Sequence, residues 1–387
     1  MYGIYMTLAS VVLLAYVLWR ASSVPRLRRF PRRAFLIAGL LLALALFVGR
    51  WLGHDASGPV AALLEFISMT LVGTLFLVFV CLFPLDLLTG FGLLFRPRAA
   101  QFRGWAMLAG LLLALLALFQ GLRPPVIRRW QASLPGLPPA LDGTRLAAIS
   151  DLHLGALIGP GWLRARVTQV QSLKPDMILV LGDVFEGHGA TIAAYHPALR
   201  LLSAPLGVWA VEGNHESHGG PAAASGSWSG NPLRMLRDEV VQPAPGLFLA
   251  GRRSFHRHGR GQAMPEWNPG GKRPPGGMIL MAHVPSAAEA AARSGVGLML
   301  AGHTHGGQIW PLSYATRMTN PLLAGRYEVG GMTVLVSRGA GTWGPRMRLW
   351  RPGEILLVTL RSVPRPPDAP AGTGNAGDSR PISSSAR

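Results

Sequence analysis

Five short polar motifs stand in a fixed order along the chain, and nearly every one follows a run of apolar, strand-like residues. They are Asp151-Leu152-His153, Gly182-Asp183, Gly213-Asn214-His215-Glu216, His283, and Gly302-His303-Thr304-His305. The runs are Arg145 to Ser150, Met177 to Leu181, Val208 to Val211, Met278 to Ala282 and Leu298 to Ala301. Segments this short and apolar read as buried strands, and in an α/β sheet chemistry gathers at strand ends. Apolar and basic residues recur at helical spacing from Trp162 to Leu173, and Thr191 to Leu202 forms a second helical segment. The alternation describes β-α-β units with both sheet faces covered.

Every motif offers carboxylate, imidazole or amide groups, together enough to hold two metal ions. A carboxylate just after a strand can give one oxygen to each of two cations roughly 3.5 to 4 Å apart, and Asp183 is the best placed to do so. Asp151 and His153 are two apart in what reads as extended chain, which would turn both to the same side, and His303 and His305 repeat the spacing. Asn214 adds a neutral amide oxygen, so the site carries less negative charge and accepts an anionic phosphate. His215 is left for acid chemistry.

These motifs resemble those of the calcineurin-like metallophosphoesterases, whose pattern is Asp-x-His, Gly-Asp-x-x-Asp, Gly-Asn-His-Asp/Glu, a lone His and Gly-His-x-His. The resemblance covers roughly residues 144 to 361. Within it, Gly302 to Gln308 and Val336-Ser337-Arg338-Gly339-Ala340-Gly341 look like the YkuE/YaeI-type branch, whose members are often membrane-associated. The resemblance implies a β-sandwich flanked by helices and two divalent ions; mixed imidazole, carboxylate and amide ligands suit manganese, iron or zinc alike. One ion would be held by Asp151, His153, Asp183 and His305, the other by Asp183, Asn214, His283 and His303. His215 would protonate the leaving oxygen or steady the transition state. Two departures stand out. Glu186 occupies the place of the second Asp, which in some members orients the catalytic His, and His283 opens His-Val-Pro-Ser where the branch has His-Asn-Pro-Asp.

The expected chemistry is hydrolysis of a phosphate ester or pyrophosphate. Paired cations bring the pKa of a bridging water towards neutrality for in-line attack on phosphorus, and neutralise charge on the equatorial oxygens. The remaining histidines, His54, His188, His196, His218, His256 and His258, read as solvated loop residues, although His188 and His218 follow site motifs closely. The paired glycines at 219–220, 270–271 and 276–277 lack a phosphate-cradling spacing and read as loops.

The first third of the chain is different material. Apolar stretches run from about Ile4 to Trp19, Ala34 to Val48, Val60 to Leu88 and Trp105 to Leu122, which together read as an all-α transmembrane bundle of about four helices. The first two are short and depend on their flanks. Glu65 and Asp86 lie inside or near the third; acids within a span read as functional by default, and towards its ends their side chains can instead simply reach the interface. The first connection and the third hold nine arginines (20, 26, 28, 29, 32, 33, 96, 98 and 103), against four on the opposite side (50, 123, 128 and 129). By the positive-inside rule the N-terminus and the catalytic part then face outwards, giving a multi-pass protein of the cell membrane with an extracytoplasmic catalytic domain. No basic n-region precedes the first apolar run, so no cleavable signal is expected.

The expected domains are a transmembrane region at 1–130, a metallophosphoesterase domain at 144–361 and a disordered tail at 363–387 rich in Pro, Ser, Gly and Ala. Residues 217–277 read as a largely irregular insertion. The single cysteine, Cys81, lies in the third apolar stretch, which excludes a disulfide framework or thiolate ligation in the catalytic part. A net charge of +19 suits an anionic membrane surface or phosphorylated substrates. Basic residues do not interleave with an aromatic platform, so nucleic acid is not the expected partner. The partners expected are instead the membrane and a phosphorylated substrate, lipid-linked or from the cell envelope. A competing reading makes the bundle a transport or sensing device and the outer domain a binder of a phosphorylated ligand.

Overall fold

The computed structural model describes residues 2–53, 58–186, 192–217, 233–253 and 275–364, and the chain divides into two compact units. One comprises Met1–Arg123 with Gln308–Pro311 and Thr342–Pro352. The other comprises Pro124–Gly307, Leu312–Gly341 and Gly353–Arg387.

The first unit is helical: α1 (Tyr2–Ala21), α2 (Arg32–Val48), α3 (Pro59–Leu88) and α4 (Arg96–Leu122). A π-helical turn, Gly49–Gly53, continues α2, so that stretch is longer than its apolar run. Among the described residues three helical stretches are long and apolar enough to cross a membrane, Arg32–Leu52, Pro59–Leu88 and Arg98–Leu122, while the apolar part of α1, Thr7–Ala21, is shorter. Helices in lipid approach closely where a small residue lies between them. Gly110 of α4 is such a residue, because a Cβ there would stand 2.6 Å from Cα of Val78 on α3.

Asp86 is fully buried within this unit and does not reach out to an interface. Its Oδ1 accepts from Arg103 Nε at 3.0 Å, and its Oδ2 meets the Tyr16 hydroxyl at 2.5 Å and Arg20 Nε at 2.6 Å. Arg20 and Arg103 thus lie inside helices and tie α1 and α4 to α3. Glu65 is also buried.

Among the described residues the second unit is built of two six-stranded sheets, whose central strands, apolar on both faces, demand cover on both. The strands are β1 (Val126–Pro135), β2 (Arg145–Ile149), β3 (Met177–Val180), β4 (Val208–Ala210), β5 (Arg234–Met235), β6 (Glu239–Ala244), β7 (Leu247–Arg252), β8 (Gly277–Ala282), β9 (Leu298–Ala301), β10 (Gly325–Val329), β11 (Met332–Val336) and β12 (Glu354–Val363). One sheet has the order β1-β12-β2-β3-β4-β5 and the other β10-β11-β9-β8-β7-β6. Strands β2 to β5 run parallel, as do β7, β8, β9 and β11.

Alternation along the strands builds the layers. Leu146, Ala148, Leu179, Ile279, Met281 and Leu300 share a core between the sheets. Ala147, Ile149 and Val180 face Leu163, Val167 and Val170 of α5 (Pro160–Ser172), whereas Met278, Leu280 and Met299 face Ala288 and Ala291 of α8 (Ala288–Arg293). Each fully buried Leu, Ile or Met side chain contributes about 1.5–3 kcal/mol relative to exposure.

Some sequence expectations are corrected. The helix expected over Thr191 to Leu202 is only a 3₁₀ turn, Ile192–Ala194, and a single turn, α6 (His196–Leu199). Half-buried His196 opens α6 and is not a solvated loop residue. The insertion at 217–277 is not irregular throughout, since its described part carries β5, β6 and β7. The rest of it, 218–232 and 254–274, lies outside the described residues, as do His54, His188, His218, His256, His258 and the tail from 365 onward. Helices α7 (Asn214–Ser217) and α9 (Leu312–Thr319) complete the unit.

Candidate metal centre

The motif residues follow β2, β3, β4, β8 and β9, and there the backbone departs from what alternation suggests. Asp151 (φ 53°), His153 (φ 46°), Asp183 (φ 50°), His303 (φ 72°) and His305 (φ 50°) all lie in the left-handed region. The extended geometry expected for the two His-bearing pairs is therefore absent, and the turns aim the side chains instead. Such a conformation costs a non-glycine residue about 1–3 kcal/mol and persists where the surroundings over-determine it. Here they do: Asp151 N donates to Gly182 O at 3.0 Å, His153 N to Asp183 O at 3.1 Å, and Leu154 N to Val184 O at 2.8 Å.

Glycine leaves room for this close packing. A Cβ on Gly213 would lie 2.0 Å from Asp183 Oδ1, and one on Gly302 would lie 2.5 Å from Asp151 Oδ2. Carboxylates are pinned in the space so left. His215 N donates to Asp183 Oδ1 at 2.9 Å, and His303 N donates to Asp151 Oδ1 at 2.9 Å.

All nine candidate residues come together. His283 Nε2 lies 3.1 Å from Asp183 Oδ2, and His153 Nε2 lies 3.9 Å from the same oxygen, so this carboxylate faces imidazoles on two sides. Asn214 Oδ1 sits 2.9 Å from His283 Nε2 and 2.8 Å from His303 Nδ1. On the other flank His153 Nε2 faces His305 Nε2 at 3.0 Å, and His305 Nε2 lies 3.5 Å from Asp151 Oδ1. Glu186 reaches His153 Nδ1 at 2.5 Å and stands 3.5 Å from His215 Nδ1. The carboxylate in the second Asp position thus touches both the ligand-type His153 and His215.

The donor chemistry fits two cations. Asp151, His153 and His305 form one group whose ligand atoms lie within 4.8 Å of one another, and Asp183, His283 and His303 form another. His283 Nδ1 lies 2.8 Å from Leu181 O, an acceptor only, so it carries the proton and Nε2 is left as the lone pair facing the site. Glu186 does the same for His153. Two imidazole nitrogens turned on each other, as in His153 and His305, are held together favourably only by a shared proton or a cation.

Electrostatics agree. Burial disfavours charge on His153, but Glu186, Asp183 and Asp151 outweigh it and raise its pKa to about 9. Burial likewise opposes charge on His283, and Asp183 and Asp151 raise it to about 10. Burial and the His283 charge push His303 down to about 4. Burial lowers His215, with Asp183 and Glu186 opposing it. Despite its own burial, Asp183 is held well below the usual carboxylate range by His283 and His153, whereas burial raises Asp151. The raised values favour the protonated forms of His153 and His283 beside the carboxylates, and a cation held there would compete with those protons.

Glu216 is the residue sequence reasoning passed over. Its buried carboxylate accepts from the backbone N–H groups of Asp183 (2.9 Å), Val184 (2.7 Å), Phe185 (3.0 Å) and Gly213 (2.7 Å). Burial and the nearby Asp183 raise its pKa to about 7, against the Phe185 and Gly213 donors. The available signal was a carboxylate in the first turn of a helix, two residues after the ligand-type Asn214. The Val336 to Gly341 motif also finds a role: Ala340 N and Gly341 N donate to Ser150 O and Asp151 O, and Arg338 pairs with Glu354.

Comparison with known proteins agrees with this geometry. The family model for Calcineurin-like phosphoesterase matches residues 144–307. A relative from Bos taurus, "Transmembrane protein with metallophosphoesterase domain", is 31% identical over 280 residues, 67% of this chain and 62% of the bovine protein. The chain therefore spans about three fifths of that relative's length. An "Uncharacterized metallophosphoesterase" of Aquifex aeolicus is 30% identical over 55% of this chain and 83% of its own length. "Uncharacterized metallophosphoesterase YkuE" of Bacillus subtilis is 29% identical over 59% of this chain and 82% of its own. The chain belongs to the calcineurin-like metallophosphoesterase family, and the domain it carries is that of a metal-dependent hydrolase.

Proposed function

We propose that this protein is a membrane-anchored two-metal phosphoesterase that hydrolyses a phosphate ester or pyrophosphate. Residues 1–130 would form its membrane region and 144–361 its catalytic domain. The observation that carries the reading is the convergence of seven ligand-type side chains from five separate loops, with His215 and Glu186 beside them. Asp151, His153, Asp183 and His305 would hold one ion, and Asp183, Asn214, His283 and His303 the other. When bound, the two ions supply Lewis-acid chemistry, activating water and neutralising phosphoryl charge.

The chain's own residues do the rest. Asp183 is oriented through one oxygen by His215 N, which leaves the other turned to the imidazoles. Glu186 fixes the His153 ring. His215 acts as general acid towards the leaving oxygen, a contribution of about 10² to 10⁴ in rate. An anionic phosphate beside His215 favours its protonated form and so offsets the effect of burial.

The arginine distribution supports a multi-pass topology with the catalytic domain outside the cytoplasm. In a Cys81→Ser background, Leu201→Cys should label with an impermeant maleimide in intact cells. Protection until lysis would reverse the orientation. The activity is tested by metal analysis and turnover of an aryl phosphate with manganese. Asp183→Asn should lose turnover and bound metal with folding retained; equal turnover by variant and wild type would remove the phosphoesterase reading.

A further inference from the structure

Two short segments from the C-terminal half of the chain belong to the helical unit, Gln308–Pro311 and Thr342–Pro352. Ile309, Met347 and Leu349 pack with Leu77 of α3 and with Ala114 and Ala117 of α4. Main-chain groups take part as well. Arg348 N donates to Ala117 O at 2.8 Å, and Trp350 N donates to Gln120 Oε1 at 2.9 Å. Gln308 clasps the two segments together: its side-chain amide bonds Trp343 O at 2.9 Å and Trp343 N at 2.9 Å, and Leu349 N donates to its carbonyl at 3.0 Å.

The depth of these contacts follows from helix geometry. Arg103, in the buried cluster with Asp86, and Leu122, the last residue of α4, are about 19 residues apart. At 1.5 Å per residue that is about 29 Å, one hydrocarbon thickness. The anchor points Ala117 and Gln120 therefore lie in the last two turns of α4, within about 8 Å of the end of that length. Irregular backbone is tolerated there because its polar groups are satisfied within the protein.

Three tryptophans on these segments remain exposed, Trp310 (37%), Trp343 (42%) and Trp350 (55%), and exposed Arg351 follows the last of them. Tryptophan beside arginine, continuous with helices able to span a bilayer, is the composition of a membrane–water interface.

We infer that Gln308–Pro311 and Thr342–Pro352 form an interfacial belt seated among the lipid headgroups, and that the substrate is the phosphate-bearing head of a bilayer lipid. The second half rests on the phosphoesterase reading. It also rests on chain order: Gln308 is the third residue after His305, and Thr342 directly follows Gly341, whose N–H holds Asp151 O.

The test uses the full chain in phosphatidylcholine nanodiscs with Cys81→Ser. Nitroxide labels on Trp343→Cys and Trp350→Cys should show an oxygen-to-nickel accessibility ratio several-fold above that of a label on Leu201→Cys. Equal ratios would overturn the belt. Hydrolysis of phosphatidic acid in vesicles should fall about tenfold in the Trp343→Ala/Trp350→Ala variant, with aryl phosphate turnover unchanged. Equal losses on both substrates would make the belt merely structural. Wild-type turnover of the aryl phosphate without the vesicle-borne one would overturn the lipid substrate, whereas turnover of neither would sink the phosphoesterase reading and leave the labelling result standing.

Discussion

Both units bury charge, and they do so in opposite ways. In the helical unit Asp86 has a donor for each oxygen, from Arg103, Arg20 and Tyr16, so acceptors and donors match. In the sandwich Asp151, Asp183 and Asn214 face imidazole nitrogens that also face one another, and acceptors crowd together. Buried charge with its counter-charge supplied by the chain holds helices together. Buried carboxylates whose partners are imidazoles can take protons or cations in the same place.

Chelation should separate the two most strongly. Removing divalent ions is expected to lower aryl phosphate turnover by about three orders of magnitude or more, the scale of several kcal/mol of lost charge stabilisation. It should also lower the melting temperature of the sandwich while leaving the helical unit unchanged, which differential scanning in detergent can read. Asp86→Ala is the mirror experiment. It strands two buried guanidinium groups and should destabilise the helices by about 3–5 kcal/mol, with metal content per folded chain unaltered. If metal content fell too, the contrast between the units would fail.

Glu186→Gln sharpens the comparison inside the site. Glu186 fixes the His153 ring from behind, so its loss should weaken metal affinity about 10- to 100-fold, measurable by competition with a chelating dye. The smallest effect belongs to Arg361→Ala. Its pair with Asp142 at 3.2 Å is solvent-exposed, and thermal melts should show no resolvable shift.

Much of this was legible in the sequence. The apolar runs ending at Asp151, Asp183, Asn214, His283 and His303 are strands because fully buried parallel strands need apolar residues on both faces. The helix at Pro160–Ser172 was legible from its spacing. What was hidden depends on partners far along the chain. β1 is held in register by β12, its Val126 paired with Glu354, and no local pattern announces that. β6 contains Pro243 and has half-buried or exposed residues only, as edge strands often do. The left-handed turns at the ligands were also invisible, since Asp and His there obey tertiary hydrogen bonds and not local preference. Glu216 escaped notice because it serves amides instead of an ion.

That last side chain has a wider implication. By gathering N–H groups from residues 183 to 185 and from 213, Glu216 welds the turns after β3 and β4 into one body. The separation of Asp183 and Asn214 is thereby set by a carboxylate that is not itself in the ligand set. Shortening that brace by one carbon, as Glu216→Asp would, alters the spacing of Asp183 and Asn214 without removing a single ligand.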